Sequence, residues 1–390
     1  MIIHKIYIGG WFQRTTLHLT EVWDFLKSGK TDLSFDAEEF KLARERLDVK
    51  DISRQNNFLE YVFVNTNDKI DYRIYEDGLI VLEKEFEDLE KDFKAIKDYY
   101  DSKLSKSLSY LFSKGAPVPK ELANIKTILP YIVMVSDATK QEAQELFNDH
   151  NEEVYSMLST GKIEVYRSPG IILINNLESD KLAREIIEAE IFFREYKTQL
   201  HRYLSIHRTI WEKIERIKEL DEIKGSEIEK YRNELSIYQK TITLIDARIE
   251  QMDTYIQTRQ KIVNLQQIDE KLKPLFDFKY ETLQDTHEYI KDLWLMTKDY
   301  LDSAIQMLEE LQSQSTVSAI SSLRLITSIG VVAGVVGYLE VKKIPKFTLE
   351  GIFYFIILLV AAIAVNQLIT KFYLTKKYRI DDQEIDKNIK

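Results

Sequence analysis

The chain has 390 residues, of which 30% are charged, and its formal net charge is −10 at pH 7. This negative balance argues against nucleic acid as a main partner, because binding to phosphates needs clustered cationic surface. The chain contains no cysteine, which excludes a disulfide framework, a thiolate metal site and a thiol nucleophile.

Short strands dominate the beginning of the chain. Runs rich in aromatic and β-branched residues predict strands at residues 3–8, 59–65, 72–75 and 79–82. The dipeptides Asn67-Asp68 and Asp77-Gly78 fall between these runs, as in a β-meander.

Two helices are predicted within the same region. The first covers residues 36–47, with Asp36 as its N-cap. The second covers residues 83–113, and the helix breakers Gly115, Pro117 and Pro119 follow it.

A second mixed stretch is followed by an all-helical part. Its predicted elements are a strand at 128–135, a helix at 138–158 and strands at 163–166 and 171–174. Beyond it, helices are predicted at residues 179–220 and 226–268. A last helix runs from Pro274 to Tyr338, a length of about 95 Å at 1.5 Å per residue.

Two apolar segments lie near the end of the chain. Residues 325–339 and 351–370 carry no charge, and the first extends back to Val317 with only Arg324 interrupting it. A bilayer core about 30 Å thick needs roughly 20 apolar residues in a helix. The pattern therefore predicts two transmembrane helices.

The predicted organisation has six parts. They are a cytosolic α/β domain (1–178, with a possible subdomain break near 115–120), a long-helix stalk (179–316), a first span (317–341), an external link (342–350), a second span (351–371) and a basic-then-acidic tail (372–390). The basic tail slightly favours a cytoplasmic C-terminus, and the large acidic N-terminal domain shows no leader segment. We therefore expect an inner-membrane protein with both termini in the cytoplasm.

This order of parts resembles the CorA metal-ion transporter superfamily. CorA proteins end their first span with a Gly-Met-Asn signature. Here Gly337 keeps the glycine, while Tyr338 and Leu339 replace the methionine and the asparagine. The resemblance implies an α+β cytosolic domain, long stalk helices, two C-terminal transmembrane helices and a funnel-shaped homo-oligomer of five subunits. In the family the asparagines of the subunits form a ring of amide groups that faces a hydrated divalent cation. Leu339 offers no such hydrogen-bond acceptor.

The first apolar segment supplies the pore and packing candidates. Ser321, Arg324 and Ser328 share one helix face at i, i+3 and i+7, so they could line a pore together with Gly337, Tyr338 and Leu339. Arg324 could equally extend towards lipid headgroups. Small residues at helix-contact spacing predict close helix packing at Gly330, Ala333 and Gly334.

A glycine-containing segment after the first strand is a weak ligand-binding candidate. This segment combines glycine backbone at Gly9 and Gly10, an aromatic ring at Trp11, and side chains that can donate hydrogen bonds to phosphate at Arg14 and Thr15. Such a set could hold a nucleotide. A turn whose tryptophan packs in the core is the favoured alternative. Arg73 and Lys69 are weaker candidates still. No enzyme motif is found, no cofactor is identified, and the metal ligands are unknown.

Two functions remain open, with a membrane-anchored scaffold as a third. CorA-like proteins without the signature occur as membrane effectors beside type III CRISPR systems, where a nucleotide messenger activates them. The replaced signature, the lysines of the link and Arg324 favour this effector interpretation. The alternative is a transporter of magnesium or another divalent cation. The expected partners are the lipid bilayer, further copies of the chain, and a ligand that is either a nucleotide messenger or Mg²⁺.

Overall fold

A computed structural model describes residues 1–11, 18–29, 36–56, 59–112, 130–159, 163–175, 180–265, 273–339 and 349–379. The chain forms two compact units. Unit 1 comprises Met1–Ile206 and Thr243–Asp292, and unit 2 comprises His207–Ile242 and Leu293–Lys390.

A nine-stranded sheet lies in unit 1. Its strands are β1 (Ile2–Trp11), β2 (Val49–Asn56), β3 (Glu60–Thr66), β4 (Asp71–Tyr75), β5 (Leu79–Glu85), β6 (Tyr131–Ser136), β7 (Ser156–Ser159), β8 (Glu164–Arg167) and β9 (Ile171–Asn175). Their order in the sheet is β2-β3-β4-β5-β1-β6-β9-β8-β7. Among these strands, β6 and β9 pair in parallel and every other neighbouring pair is antiparallel.

Nine helices are described. They are α1 (Leu19–Ser28), α2 (Ala37–Glu45), α3 (Leu89–Tyr99), α4 (Ser105–Phe112), α5 (Lys140–Asp149), α6 (Asp180–Lys218), α7 (Gly225–Leu265), α8 (Lys273–Leu339) and α9 (Leu349–Thr375). A π-helical turn, Tyr100–Leu104, joins α3 to α4. In unit 2, two short strands, β10 (Glu222–Lys224) and β11 (Lys377–Arg379), pair antiparallel.

One face of the sheet carries an apolar core. Successive strand residues point to opposite faces, so Tyr72 and Ile74 of β4 lie on the same face as Ile80 and Leu82 of β5. These side chains are at most 3% exposed and form one buried cluster with apolar residues of α1, α2, α3 and α4. Burial of this apolar surface is the main stabilising contribution on this face.

The intervening residues of the same strands face the other way and include charged groups. Arg73 and Glu83 are buried on this second face, beside Tyr75 and Val81. Helix α6 comes close to this face, because a Cβ placed on Gly9 would lie 2.6 Å from Cδ1 of Ile191. This second face holds the candidate site described below.

The structure confirms many of the predicted elements. Residues 3–8 are part of β1, the meander strands are β3, β4 and β5, and the later strands correspond to β6, β8 and β9. Asp36 caps α2 by accepting hydrogen bonds from the backbone N–H groups of Glu38 and Glu39. The α+β character of the sheet-bearing part is therefore confirmed.

Other elements differ from the prediction. The helix expected from residue 83 begins at Leu89, because β5 continues to Glu85 and Asp88 caps α3. The helix expected to reach residue 158 ends at Asp149, and β7 follows it. Strand β2 was missed because it is a sheet edge with mostly exposed polar residues, which leaves little apolar alternation. The breakers at residues 115–119 lie outside the described residues.

The prediction of two transmembrane helices is wrong. Across the parts of the chain that the structure describes, no helix combines the length and the apolar character needed to cross a bilayer. The two-span fold class and the inner-membrane location predicted from residues 317–341 and 351–371 are corrected accordingly.

Replacing Gly9 by alanine should destabilise the protein. The added Cβ would lie 2.6 Å from the backbone oxygen of Ile80 and 2.6 Å from Ile191. Such overpacking typically costs about 1–3 kcal/mol. Urea denaturation of full-length Gly9→Ala should show this loss. Gly330→Ala is the matched control, since no atom other than those of its own stretch of helix lies within 4 Å of its Cβ position. The control should be neutral or gain up to about 1 kcal/mol of helix propensity. Equal stabilities of the two variants would contradict the packing described for β1.

Candidate functional site

Eight charged side chains converge on the second face of the sheet in unit 1. We call this set the ionic layer, and it consists of Arg73, Asp77, Glu83, Arg167, Glu188, Glu190, Arg259 and Lys279. Strands and turns of the sheet contribute four of these residues, and α6, α7 and α8 contribute the others. The set contains equal numbers of cationic and anionic groups. Burying so many charges is tolerable only because each has an oppositely charged partner.

The most deeply buried pair joins α7 to the turn between β4 and β5. Arg259 Nε lies 2.5 Å from one carboxylate oxygen of Asp77, and Nη2 lies 3.1 Å from the other. The turn fixes this carboxylate, because Gly78 adopts a positive φ of 90° and Asp77 also accepts from the N–H of Leu79. The Arg259 guanidinium lies over the rings of Tyr75 and Phe192. The pair is bidentate, which is the geometry that suits arginine.

Glu190 of α6 is held by two cations. Arg167 Nη2 lies 2.7 Å from one oxygen of Glu190 and Nε 3.1 Å from the other, while Lys279 Nζ of α8 lies 2.6 Å away. Burial raises the pKa of the Glu190 carboxyl, but Lys279 and Arg167 outweigh burial and lower it to about 2. Glu190 is therefore firmly ionised in the folded protein.

Glu188 lies two residues earlier on α6 and behaves in the opposite way. Its carboxylate accepts a hydrogen bond from the Tyr75 hydroxyl, and its other oxygen lies 3.9 Å from Arg259 Nη1. Burial raises the pKa of Glu188 above its ordinary value, and the opposing effects of Arg259, Tyr75, Arg73 and Arg184 do not cancel this shift. Glu188 is thus an ionisable group whose charged form the site compensates incompletely.

The remaining pair lies within the sheet itself. Arg73 Nη1 of β4 donates to Glu83 of β5 at 2.7 Å, and the Arg73 guanidinium also lies over the ring of Phe63. Lys5 of β1 approaches Glu83 at 3.5 Å. This chain of contacts ties three neighbouring strands together on the face that carries the ionic layer.

The chemistry of the layer is electrostatic. Among the described residues, no group of three or more His, Asp and Glu side chains is placed to hold a metal ion. The guanidinium groups are the features that a ligand could use, because arginine binds carboxylate and phosphate oxygens in pairs. An anion that enters the layer would compete with its carboxylates and so alter contacts to α6 and α7.

The weak ligand-binding candidates at the N-terminus lie in a strand. Gly9, Gly10 and Trp11 belong to β1, which extends beyond the predicted residue 8. Trp11 is 7% exposed and packs against Phe192, Tyr196 and Tyr255. Its indole N–H donates to the backbone oxygen of Asp77 at 2.9 Å, so Trp11 supports the turn that carries the ionic layer. Arg14 and Thr15 lie outside the described residues, and the ligand-binding role of the set is untested.

The pore and packing candidates all lie in α8. Ser321, Arg324, Ser328 and Gly330 are exposed there. For Ala333, Gly334, Gly337, Tyr338 and Leu339 the structure describes the helix only. Their predicted roles in a pore or in helix packing are untested.

Sequence reasoning missed most of the ionic layer. Arg73 was named only as a weak candidate, and Asp77 only as a turn residue. Glu188, Glu190, Arg259 and Lys279 lie on long helices rich in charged residues, where a buried charge has the same sequence signature as an exposed one. One available signal was the pair Glu188 and Glu190 within the apolar run of residues 186–193.

Unit 2 contains a separate buried polar group. His207 of α6 is 8% exposed and packs against the rings of Trp211 and Trp294. Both of its ring nitrogens are buried, and so is Nε1 of Trp294. Burial and the neighbouring Arg208 lower the pKa of His207, although the backbone of Leu293 opposes the shift. His207 is therefore held as a neutral imidazole.

Comparison with known proteins gives only weak structural likeness. No protein-family profile and no curated protein matches the chain. Among solved structures, the chain is similar to the CorA magnesium transporter from Methanocaldococcus jannaschii, at 9% sequence identity and a TM-score of 0.27. The match covers 63% of this chain and 91% of that chain. A likeness with a TM-score this low carries no argument about fold or function.

Neutralising Glu190 and Glu188 should have opposite consequences. At pH 7, Glu190→Gln should lose about 3–5 kcal/mol, because it leaves Arg167 and Lys279 buried with an uncompensated charge. The stabilisation from Glu190 is present above the pKa of an unfolded glutamate, about 4.3, and is lost as pH falls towards 2. Glu188→Gln should be neutral or stabilising at pH 7, since a raised folded-state pKa means that ionisation costs stability there.

Urea denaturation of both full-length variants between pH 7 and pH 3 tests this contrast. The stability difference between wild type and Glu190→Gln should shrink as the solution is acidified. Equal losses in the two variants at pH 7 would show that the two carboxylates are held alike, contrary to the contacts described.

Replacing His207 by phenylalanine should protect unit 2 against acid. A base whose folded-state pKa is lowered contributes full stability above about pH 6.5 and loses it as pH falls, because the unfolded chain takes up the proton first. Thermal unfolding at pH 7 and pH 5 should show a smaller acid-induced decrease of Tm for His207→Phe than for wild type. His201→Phe, at an exposed position of the same helix, is the control and should behave like wild type. Identical decreases in all three proteins would contradict the buried neutral state of His207.

Proposed function

We propose that the protein is a non-enzymatic, ligand-responsive effector. Its α+β part in unit 1 senses a small anionic ligand of nucleotide type, and the long helices α6, α7 and α8 carry the response. The observation that supports this proposal is the contribution of all three long helices to the ionic layer. Glu188 and Glu190 come from α6, Arg259 from α7 and Lys279 from α8.

The layer links distant parts of the chain through directional contacts. Arg259 and Asp77 are separated by 182 positions, and Lys279 and Glu190 by 89. A buried ion pair tolerates little displacement, because a partner that moves away leaves an uncompensated charge. A ligand that changes the charge balance of the layer therefore changes the preferred positions of these helices. A ligand-driven switch requires two arrangements of these helices that differ in their affinity for the ligand.

We also propose that the protein acts as a homo-oligomer. In unit 2, α8 and α9 expose large apolar side chains on several sides, among them Leu325, Phe353, Val360 and Leu368. Apolar surface of this extent is typical of a contact region. A second copy of the chain would cover it.

Thermal unfolding of the full-length protein tests the sensing proposal. The panel should contain ATP, linear and cyclic adenine oligonucleotides, and adenosine as the control without phosphate. At least one phosphate-bearing nucleotide should raise Tm, since a ligand at 100 times its Kd stabilises the folded state by about 2.7 kcal/mol. Adenosine should have no effect. The same nucleotide should change amide hydrogen exchange in residues 180–206, 243–265 and 273–292. A panel without any Tm shift, or a shift with unchanged exchange in these helices, would contradict the proposal.

A further inference from the structure

The carboxylate of Glu188 lies close to cationic and hydroxyl donors. Its carboxylate accepts from the Tyr75 hydroxyl and lies 3.9 Å from Arg259 Nη1. Arg73 lies two residues before Tyr75 on the same face of β4, and Arg184 lies one helical turn before Glu188 on α6. The Tyr75 phenol therefore contacts this carboxylate, Arg259 lies near it, and Arg73 and Arg184 act on it through their charge. The side chains of Arg73 and Arg259 are 7% and 8% exposed, so their donors are shielded from bulk water.

Two of these arginines already have carboxylate partners. Arg259 uses Nε and Nη2 for both oxygens of Asp77, and Arg73 uses Nη1 for Glu83. Arg259 Nη1 is left with Glu188 at a distance longer than a hydrogen bond. Removal of Glu188 would thus leave both ion pairs in place. This arrangement differs from that of Glu190, which is the carboxylate partner of both Arg167 and Lys279.

A single carboxylate uses this set of donors poorly. A phosphate group carries up to two negative charges and three acceptor oxygens, and it forms paired hydrogen bonds with guanidinium groups. The side chain of Glu188 is 16% exposed, so Glu188 itself is in contact with the solvent. A phosphate could therefore reach the donors when Glu188 turns outward.

We propose that Arg73, Arg184, Arg259 and the Tyr75 hydroxyl form a phosphate-binding site that Glu188 occupies as an internal competitor. A phosphate-bearing ligand binds there by displacing Glu188, which breaks the contact between α6 and Tyr75 of β4. This inference rests on the proposed sensing function and names its site. Glu188 is an autoinhibitory residue in this scheme.

Phosphate binding to full-length variants tests the proposal. Isothermal titration with inorganic phosphate and, separately, with ATP should give at least tenfold tighter binding to Glu188→Gln and Glu188→Ala than to wild type. Glu60→Gln is the control, because it neutralises a carboxylate paired with the more exposed Arg54. It should bind like wild type. Equal affinities of wild type and both Glu188 variants would overturn the proposal.

A second substitution keeps the test independent of folding defects. Arg184→Gln, at a half-buried position, should abolish the gain of Glu188→Gln. A gain that survives Arg184→Gln would place the phosphate elsewhere and overturn this site. If wild type responds to a nucleotide and neither Glu188→Gln nor Arg184→Gln alters that response, the site is wrong while the sensing function stands. If Glu188→Gln gains phosphate affinity and no nucleotide affects wild type, the site is supported and the sensing function is wrong.

Discussion

The contact between Arg259 and Asp77 is the constraint on which unit 1 depends. A guanidinium buried this deeply is destabilising unless a carboxylate meets it with good geometry, so α7 has to lie where Arg259 reaches the turn after β4. This turn requires a positive φ at Gly78. It is also supported by the indole N–H of Trp11, which donates a hydrogen bond to the backbone oxygen of Asp77. Two residues 182 positions apart thereby fix the register of a long helix against the sheet.

The two faces of the sheet are stabilised by different interactions, namely apolar contacts on one and ion pairs on the other. The face covered by α1 to α4 is apolar, and apolar contacts are non-directional, so no single contact specifies where those helices lie. The face with the ionic layer is directional, because each charge needs its partner at hydrogen-bonding distance. The apolar face buries a large hydrophobic cluster, while the ionic face specifies where α6, α7 and α8 lie. A response to a charged ligand belongs on the second face, where one added charge changes the preferred arrangement.

The elements that could be predicted from the sequence are those that depend on a few neighbouring residues. Alternation located β4 and β5, the dipeptide Asp77-Gly78 located their turn, and Asp36 located the start of α2. The ionic layer could not be predicted in this way, because the partner of a charged helix residue lies far away in the sequence and comes close only in the folded chain. The two-span prediction is wrong, because no helix that is long and apolar enough to cross a bilayer is found among the described residues.

The contrast between Glu188 and Glu190 shows that small differences in distance to a cation, which the sequence does not reveal, decide how each carboxylate behaves. Both are glutamates on α6, two positions apart, and burial raises the pKa of each. Glu190 meets two cations at 2.6 and 2.7 Å and ends with a lowered pKa, while Glu188 meets Arg259 only at 3.9 Å and keeps a raised one. A difference of little more than 1 Å to the nearest cation therefore separates a structural carboxylate from a displaceable one.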